Sequence, residues 1–116
     1  ASNEKLETVE ISKNSQLKTI DFRVFYCCYV LKEIYLPVTL ETLNSQVFYN
    51  CSSLKRVEFA YGIKLTSIEE EMFFGCQSLE YANIENCLYI ETIKKGAFQQ
   101  NYSLKSIEIP RPPYMS

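Results

Sequence analysis

One short phrase of apolar residues recurs along the chain and constrains its fold more than any other feature. The phrase is L-x-x-[IV]-x-[ILF], with Ala82 in place of the branched residue in the fourth copy, and its five copies begin at Leu6, Leu31, Leu54, Leu79 and Leu104. Successive copies start 25, 23, 25 and 25 residues apart. A period of this length is typical of solenoids, in which each repeat forms one coil and buries its apolar face against its neighbours.

Apolar and polar residues alternate within the phrase, as in Ile34-Tyr35-Leu36. This period of two predicts a short strand in each repeat, and stacked repeats then form a parallel sheet. A second apolar pair follows in each repeat and predicts another short extended segment. These pairs are Leu17 and Ile20, Leu40 and Leu43, Leu65 and Ile68, and Ile90 and Ile93.

A phenylalanine stands six residues before each later copy of the phrase, at Phe25, Phe48, Phe73 and Phe98. The segment from Glu69 to Gly75 around one of them begins with acids and ends with glycine, which are the preferences of helix termini. We therefore predict one short helical turn per repeat. The phenylalanine rings are expected to point into the core and to stack on one another along the array.

The predicted fold is thus one domain, residues 1–116, that is mainly β with one short helical turn per repeat. Four full coils of 23 to 25 residues are followed by a fifth strand. The coils span residues 6–30, 31–53, 54–78 and 79–103, with a partial repeat at 104–110. Pro110, Pro112 and Pro113 cannot continue a central strand, so residues 111–116 are predicted to be a tail or linker.

The repeat resembles the BspA-like class of leucine-rich repeats. The second copy carries the resemblance best, through Pro37, Leu40, Leu43, Phe48, Cys51, Leu54, Val57 and Phe59. The departures are two additional residues in the other copies and Asn101 in place of a cysteine. The resemblance implies a leucine-rich repeat solenoid and an adhesive, protein-binding role, because many members of this class are cell-surface or secreted proteins of bacteria and protists. An intracellular (cytoplasmic) scaffold and a structural spacer within a longer array remain alternatives.

Composition argues against several other classes of function. Histidine is absent, which removes the commonest general base and metal ligand, and the three glycines are too scattered for a phosphate-binding loop. The 12 basic and 14 acidic residues are interleaved, so no basic stripe is available to bind nucleic acid. No apolar run approaches the roughly 18 to 20 residues that would insert into a membrane. We therefore expect no enzyme activity, no cofactor and no metal site.

Three of the five cysteines, Cys28, Cys51 and Cys76, occupy one position of the repeat. Because free cysteine packs as a small apolar residue, they are predicted to be buried thiols rather than redox or metal-binding groups. Cys27 is expected to be the most exposed of the five. Directly after each phenylalanine stands another aromatic residue, at Tyr26, Tyr49 and Phe74, and this column fits either partial packing or a binding stripe.

The outward positions of the predicted strands supply the candidate binding site, because the concave sheet is the usual recognition surface of a solenoid. Tyrosine and arginine are frequent anchors of protein interfaces. The candidate protein-binding residues are Glu33, Tyr35, Arg56, Glu58, Tyr81 and Asn83. The same pattern also fits an ordinary polar sheet face, so the sequence leaves both interpretations open.

Overall fold

The computed structural model describes residues 15–100 together with the backbone of Thr8–Val9. The fifth predicted strand, Asn101 and the predicted tail lie outside the described residues. In chain order the strands are β1 (Thr8–Val9), β2 (Thr19–Ile20), β3 (Glu33–Leu36), β4 (Thr42–Leu43), β5 (Arg56–Phe59), β6 (Ser67–Ile68), β7 (Tyr81–Ala82) and β8 (Thr92–Ile93), and a 3-10 helix covers Ile84–Asn86.

The leading phrases form one parallel sheet in the order β1-β3-β5-β7, so successive coils are neighbours. In the four-residue strands β3 and β5, the second and fourth residues are buried and the first and third point outward. The register places Glu33 beside Arg56 and Arg56 beside Tyr81. The predicted alternation and the stacked parallel sheet are confirmed, and this side of the array is called the sheet face.

The second apolar pairs form a further set of two-residue strands, as predicted. Here β2 pairs with β4 and β6 pairs with β8, but β4 and β6 are not paired with each other. Connection length does not account for this break: Leu40 is four positions after Leu36 and Leu65 is six after Phe59, but Leu17 is also six positions after Ile11 and β2 still pairs with β4.

The third side of each coil is a run of consecutive turns, and the predicted helical turn is wrong for the described residues. In coil 3, alternate amides donate to the carbonyl three residues earlier: Met72 to Glu69, Phe74 to Glu71 and Cys76 to Phe73. The amides between them donate to the next coil instead: Glu71 to Lys95 (3.2 Å), Phe73 to Ala97 (2.8 Å) and Gly75 to Gln99 (2.9 Å).

Two residues with positive φ explain why this segment is not a helix. Glu71 and Gly75 have φ values of 52° and 73°, which a right-handed helix does not allow. The equivalent residues of the other coils share the conformation: Arg23 and Cys27, Gln46 and Asn50, and Gly96 and Gln100. The segments 22–28, 45–51, 70–76 and 95–100 are together called the turn face.

The phenylalanine column forms the predicted stack inside the turn face. Ring centroids are 5.7 Å apart for Phe25 and Phe48, 5.4 Å for Phe48 and Phe73, and 5.2 Å for Phe73 and Phe98. Phe48 and Phe73 are fully buried, and the two outer rings are partly buried against the same core. The core therefore runs continuously from coil 1 to coil 4.

Candidate functional site

The outer side of the sheet face carries five of the six candidate residues. Glu33 and Tyr35 belong to β3, Arg56 and Glu58 to β5, and Tyr81 to β7. Their neighbours in sequence, such as Ile34 and Val57, are buried, so strand alternation sends these side chains to the opposite side. These five residues are called the sheet patch.

Arg56 lies at the centre of the sheet patch. Its guanidinium carbon is 4.0 Å from the ring centroid of Tyr81, and its Nη2 is 3.0 Å from Oε1 of Glu58. The ion pair is exposed and contributes at most about 1 kcal/mol to stability. The stacked ring adds a cation–π contact. Together the two contacts favour one position of the Arg56 guanidinium on the surface.

The register brings the remaining residues of the patch next to this cluster. Glu33 is directly beside Arg56, and Tyr35 is directly beside Glu58. Neighbouring strands lie about 4.8 Å apart, so side chains of adjacent strands are within reach of each other. The patch therefore presents two tyrosines around charges of both signs, and Tyr81 is 38% exposed.

Asn83 does not belong to the sheet patch, and the expectation that it points outward is wrong. It is 5% exposed, and its side-chain oxygen accepts a hydrogen bond from the amide of Phe59 (2.6 Å) while its side-chain nitrogen donates to the carbonyl of Phe59 (3.0 Å). Strand β7 ends at Ala82, and the chain enters the 3-10 helix at Ile84. The amide of Asn83 thus takes the place of a peptide group that a longer strand would have supplied.

The cysteine column consists of reduced thiols, as predicted. All five cysteines are free, and Cys27 is the one among them that is not buried. The thiol of Cys51 donates to the carbonyl of Phe25 at 3.0 Å, and that of Cys76 to the carbonyl of Phe48 at 3.1 Å. Burial raises the pKa of the Cys51 thiol to about 12, so the group stays protonated and unreactive at neutral pH.

The outer aromatic column is packed rather than open. Tyr26 and Tyr49 stack with ring centroids 5.0 Å apart, and Tyr49 and Phe74 with centroids 4.9 Å apart. Because each ring covers the face of the next, the faces are not available to a ligand. Of the two interpretations left open by the sequence, this geometry favours partial packing over a binding stripe.

Two residues of the acidic run, Glu69 and Glu71, are already engaged within the protein. Glu69 accepts hydrogen bonds from Lys94, at 2.8 Å, and from Ser67, and these bonds lower the pKa of its carboxyl. Glu71 accepts a bond from Gln46 at 2.6 Å. Within residues 15–100, no group of three or more cysteines and acids is placed to hold a metal ion.

Sequence reasoning did not single out the aromatic residues that protrude from coil 1. Phe22 is 55% exposed and Tyr29 is 49% exposed. A signal was available, because the equivalent residues are polar in coil 2, at Ser45 and Ser52, and in coil 3, at Glu70 and Gln77. Position-by-position comparison of the repeats, rather than a search for conserved columns, would have found them.

Comparison with known proteins agrees with this architecture. Six copies of the family described as "BspA type Leucine rich repeat region" match residues 1–113. A leucine-rich repeat protein from Bacteroides ovatus ATCC 8483, known from its crystal structure, is similar with a TM-score of 0.72 and 29% sequence identity. The similarity covers 91% of this chain and 26% of that chain. No curated protein matches. None of the described residues belongs to a helix long and apolar enough to cross a membrane.

Proposed function

Because the chain belongs to the BspA-type leucine-rich repeat family, whose domains generally mediate protein interactions, we propose that it is a non-enzymatic module that binds a protein ligand through the sheet patch. The observation that carries the proposal is the position of Arg56, which is stacked on Tyr81 and paired with Glu58. Tyrosine and arginine are enriched among the residues that dominate binding energy at protein interfaces.

The fixed geometry of the patch supports this role. A side chain that is already ordered loses less conformational entropy when a partner covers it, so more of its contact energy appears as affinity. The two contacts of Arg56 give it that order, and the rigid strands below supply the rest. A charged centre flanked by Tyr35 and Tyr81 offers a partner both apolar area and polar complementarity.

We further propose that the parent protein acts at the cell surface or is secreted, as an adhesin-like protein. Family membership supports this location, and the buried thiols are compatible with it, because a buried thiol resists oxidation in any compartment. The test is protease treatment of intact cells that produce the full-length protein, followed by detection of this domain. Loss of the domain supports surface exposure, whereas its survival until the cells are lysed contradicts it and favours a cytoplasmic scaffold.

Binding is tested with the immobilised domain and a panel of purified extracellular matrix proteins. For any protein that binds, Tyr35→Ala and Tyr81→Ala are expected to weaken binding by about 1 to 3 kcal/mol. Tyr61→Ala and Tyr89→Ala are matched controls, because these tyrosines are 72% and 53% exposed but lie outside the patch. If the controls weaken binding and the patch variants do not, recognition lies in the connecting loops. If no panel member binds, a spacer role is favoured.

A further inference from the structure

The charged groups of the sheet patch are arranged so that the patch is complementary to itself. Strands β3 and β5 are the interior pair of the described sheet, and their register places Glu33 beside Arg56 and Tyr35 beside Glu58. In the first row an acid stands next to a base, and in the second row a phenol stands next to an acid. A second copy that reverses the two strands therefore presents to each of these groups its chemical counterpart.

A two-fold axis above the sheet, parallel to the strands and midway between β3 and β5, reverses the strands in this way. Rotation about this axis keeps the height of every residue along its strand, and it lays β5 of the second copy over β3 of the first. By the register, Glu33 then faces Arg56 of the second copy, and Tyr35 faces Glu58 of the second copy. Because a two-fold interface is reciprocal, each of these contacts is made twice.

Glu33 and Arg56 both have the capacity for a further ion pair. Among residues 15–100, ion pairs link Arg56 to Glu58 and Lys94 to Glu69, and none involves Glu33. The side chain of Arg56 is 45% exposed, and its bond to Glu58 uses one N–H of Nη2, whereas arginine has five N–H groups. One guanidinium can therefore bind its own Glu58 and a second carboxylate at the same time.

We propose that the sheet patch binds the sheet patch of a second copy of this chain, through two reciprocal ion pairs between Glu33 and Arg56. The inference rests on the proposed function, because it names the partner of the same surface. Facing sheets pack about 10 Å apart, and a glutamate and an arginine side chain together span this distance. An unrelated protein would need the same charges at the same spacing, whereas a second copy supplies them by symmetry.

Two lysines at the rim of the patch oppose the association only weakly. Lys32 and Lys55 are exposed and directly precede Glu33 and Arg56, so the same rotation brings them opposite each other. They stand outside the strands, where a long side chain keeps its ammonium group in water. Repulsion between solvated charges is screened within about 8 Å at physiological salt. The central ion pairs therefore decide the interaction.

The size of the sheet face makes this a weak interaction between two isolated copies. Strands about 4.8 Å apart that rise about 3.3 Å per residue give the described sheet an area on the order of 250 Å² per copy. Stable complexes bury about 800 Å² per partner. Many weak contacts act together when many copies are displayed on one surface, because each bond after the first forms at high effective concentration. The interaction therefore joins surfaces rather than single molecules.

The test uses streptavidin-coated beads that carry the chain biotinylated at its C-terminus, in two colours. Beads with the wild-type chain are expected to aggregate. Beads with Glu33→Arg alone, or with Arg56→Glu alone, should stay dispersed, because each reversal puts like charges opposite each other twice. A mixture of the two variants should form aggregates of both colours. In the mixture, the arginine introduced at position 33 faces the glutamate introduced at position 56, and the unchanged Glu33 and Arg56 also face each other.

Matched controls make the same changes of charge outside the patch. Glu91→Arg and Lys95→Glu alter exposed residues, and beads with either variant should aggregate as the wild type does. Dispersed wild-type beads would overturn the inference, and the proposed function would still stand if the chain bound a matrix protein through Tyr35 and Tyr81. Aggregation that survives both reversals in the patch, or that the mixture does not restore, would assign the contact to another surface and overturn the inference equally.

Discussion

The sheet face and the turn face stack the same coils by different means. On the sheet face, extended strands pair through ordinary ladders, and every second side chain is free to point outward. On the turn face, stacking depends on two positive-φ residues per coil and on a column of identical rings inside. A repeat can therefore vary its outer sheet residues at little cost, whereas its turn tolerates few changes.

The largest expected effect is on the ring column of the turn face. Phe73→Ala should lower the free energy of unfolding by about 3 to 5 kcal/mol, because it leaves a cavity between two stacked rings. Urea denaturation measures the change. Phe74→Ala should cost less, since Phe74 is only half-buried, and Glu70→Ala on the exposed side should cost at most about 0.5 kcal/mol. Similar losses for Phe73 and Glu70 would contradict the stacked arrangement.

The sheet face has one sensitive position of its own, at the end of its ladder. Asn83→Ala should cost about 1 to 3 kcal/mol, because it removes two hydrogen bonds and leaves the amide of Phe59 unpaired, while the carbonyl of Phe59 keeps its bond from Asn86. Asn83→Asp should cost more than Asn83→Ala, since it buries a carboxylate with one oxygen against the carbonyl oxygen of Phe59. Urea unfolding of both variants checks the order. If the aspartate variant were the more stable one, the side chain would not replace a peptide group.

The column of buried thiols lies on the turn face and not on the sheet face. The stability that this column contributes should therefore depend on alkaline pH. Burial raises the pKa of Cys51 from 9.0 to about 12, so folding favours the protonated thiol. That stabilisation is present below pH 9 and is lost as the pH rises toward 12. Between pH 8 and pH 10, wild type should lose about 1.4 kcal/mol more than Cys51→Ala. Parallel losses in the two proteins, measured by urea unfolding at both pH values, would contradict this.

The smallest expected effect compares two glycines with almost the same φ. Gly75, on the turn face, has no room for a Cβ, which would meet the side-chain oxygen of Asn50, whereas a Cβ on Gly62 would meet nothing within 4 Å. Both alanine variants pay about 1 kcal/mol for the left-handed conformation, and Gly75→Ala should cost about 1 kcal/mol more. Thermal unfolding of both variants measures the difference. Equal costs would mean that Asn50 turns aside freely.

The repeat period and its columns were enough to predict most of the stacking. The alternation around Ile34 and Val57, the stack of rings and the buried thiols follow from which residue types recur at which spacing. The turn conformation did not follow, because Glu71 has no side-chain feature that signals a positive φ, and acids before a glycine are also typical of a short helix. In a helix these amides would donate within their own coil, whereas here alternate amides donate to carbonyls of the next coil.

The candidate site was predicted as far as regular strand geometry extends. Tyr35, Arg56, Glu58 and Tyr81 lie where alternation places them, but the binding role of the sheet patch stays a prediction. Asn83 does not follow the strand alternation, because β7 ends at Ala82 and the chain then enters the 3-10 helix at Ile84. The contacts of Arg23 with Gln46 and Tyr26 were not predicted, because they involve a different coil and a neighbouring column.

The hydrogen bonds of the turn face give the array an electrical polarity. The peptide group between Val47 and Phe48 accepts a bond from the amide of Phe25 and donates one to the carbonyl of Met72, and the pattern continues from Phe73 to Ala97. Every such amide points toward the later coil, so peptide dipoles of about 3.5 D add along the stack as they do in a helix, whereas those of a sheet largely cancel.

The carbonyl end of these rows, which is partially negative, lies at coil 1. The side chains at one positive-φ position compensate this field, since they run from Arg23 through Gln46 to Glu71, with the cation at the carbonyl end and the anion further along. A coil added before coil 1 would extend the dipole and would meet this cation first. The turn face therefore gives each end of the stack a different electrostatic character.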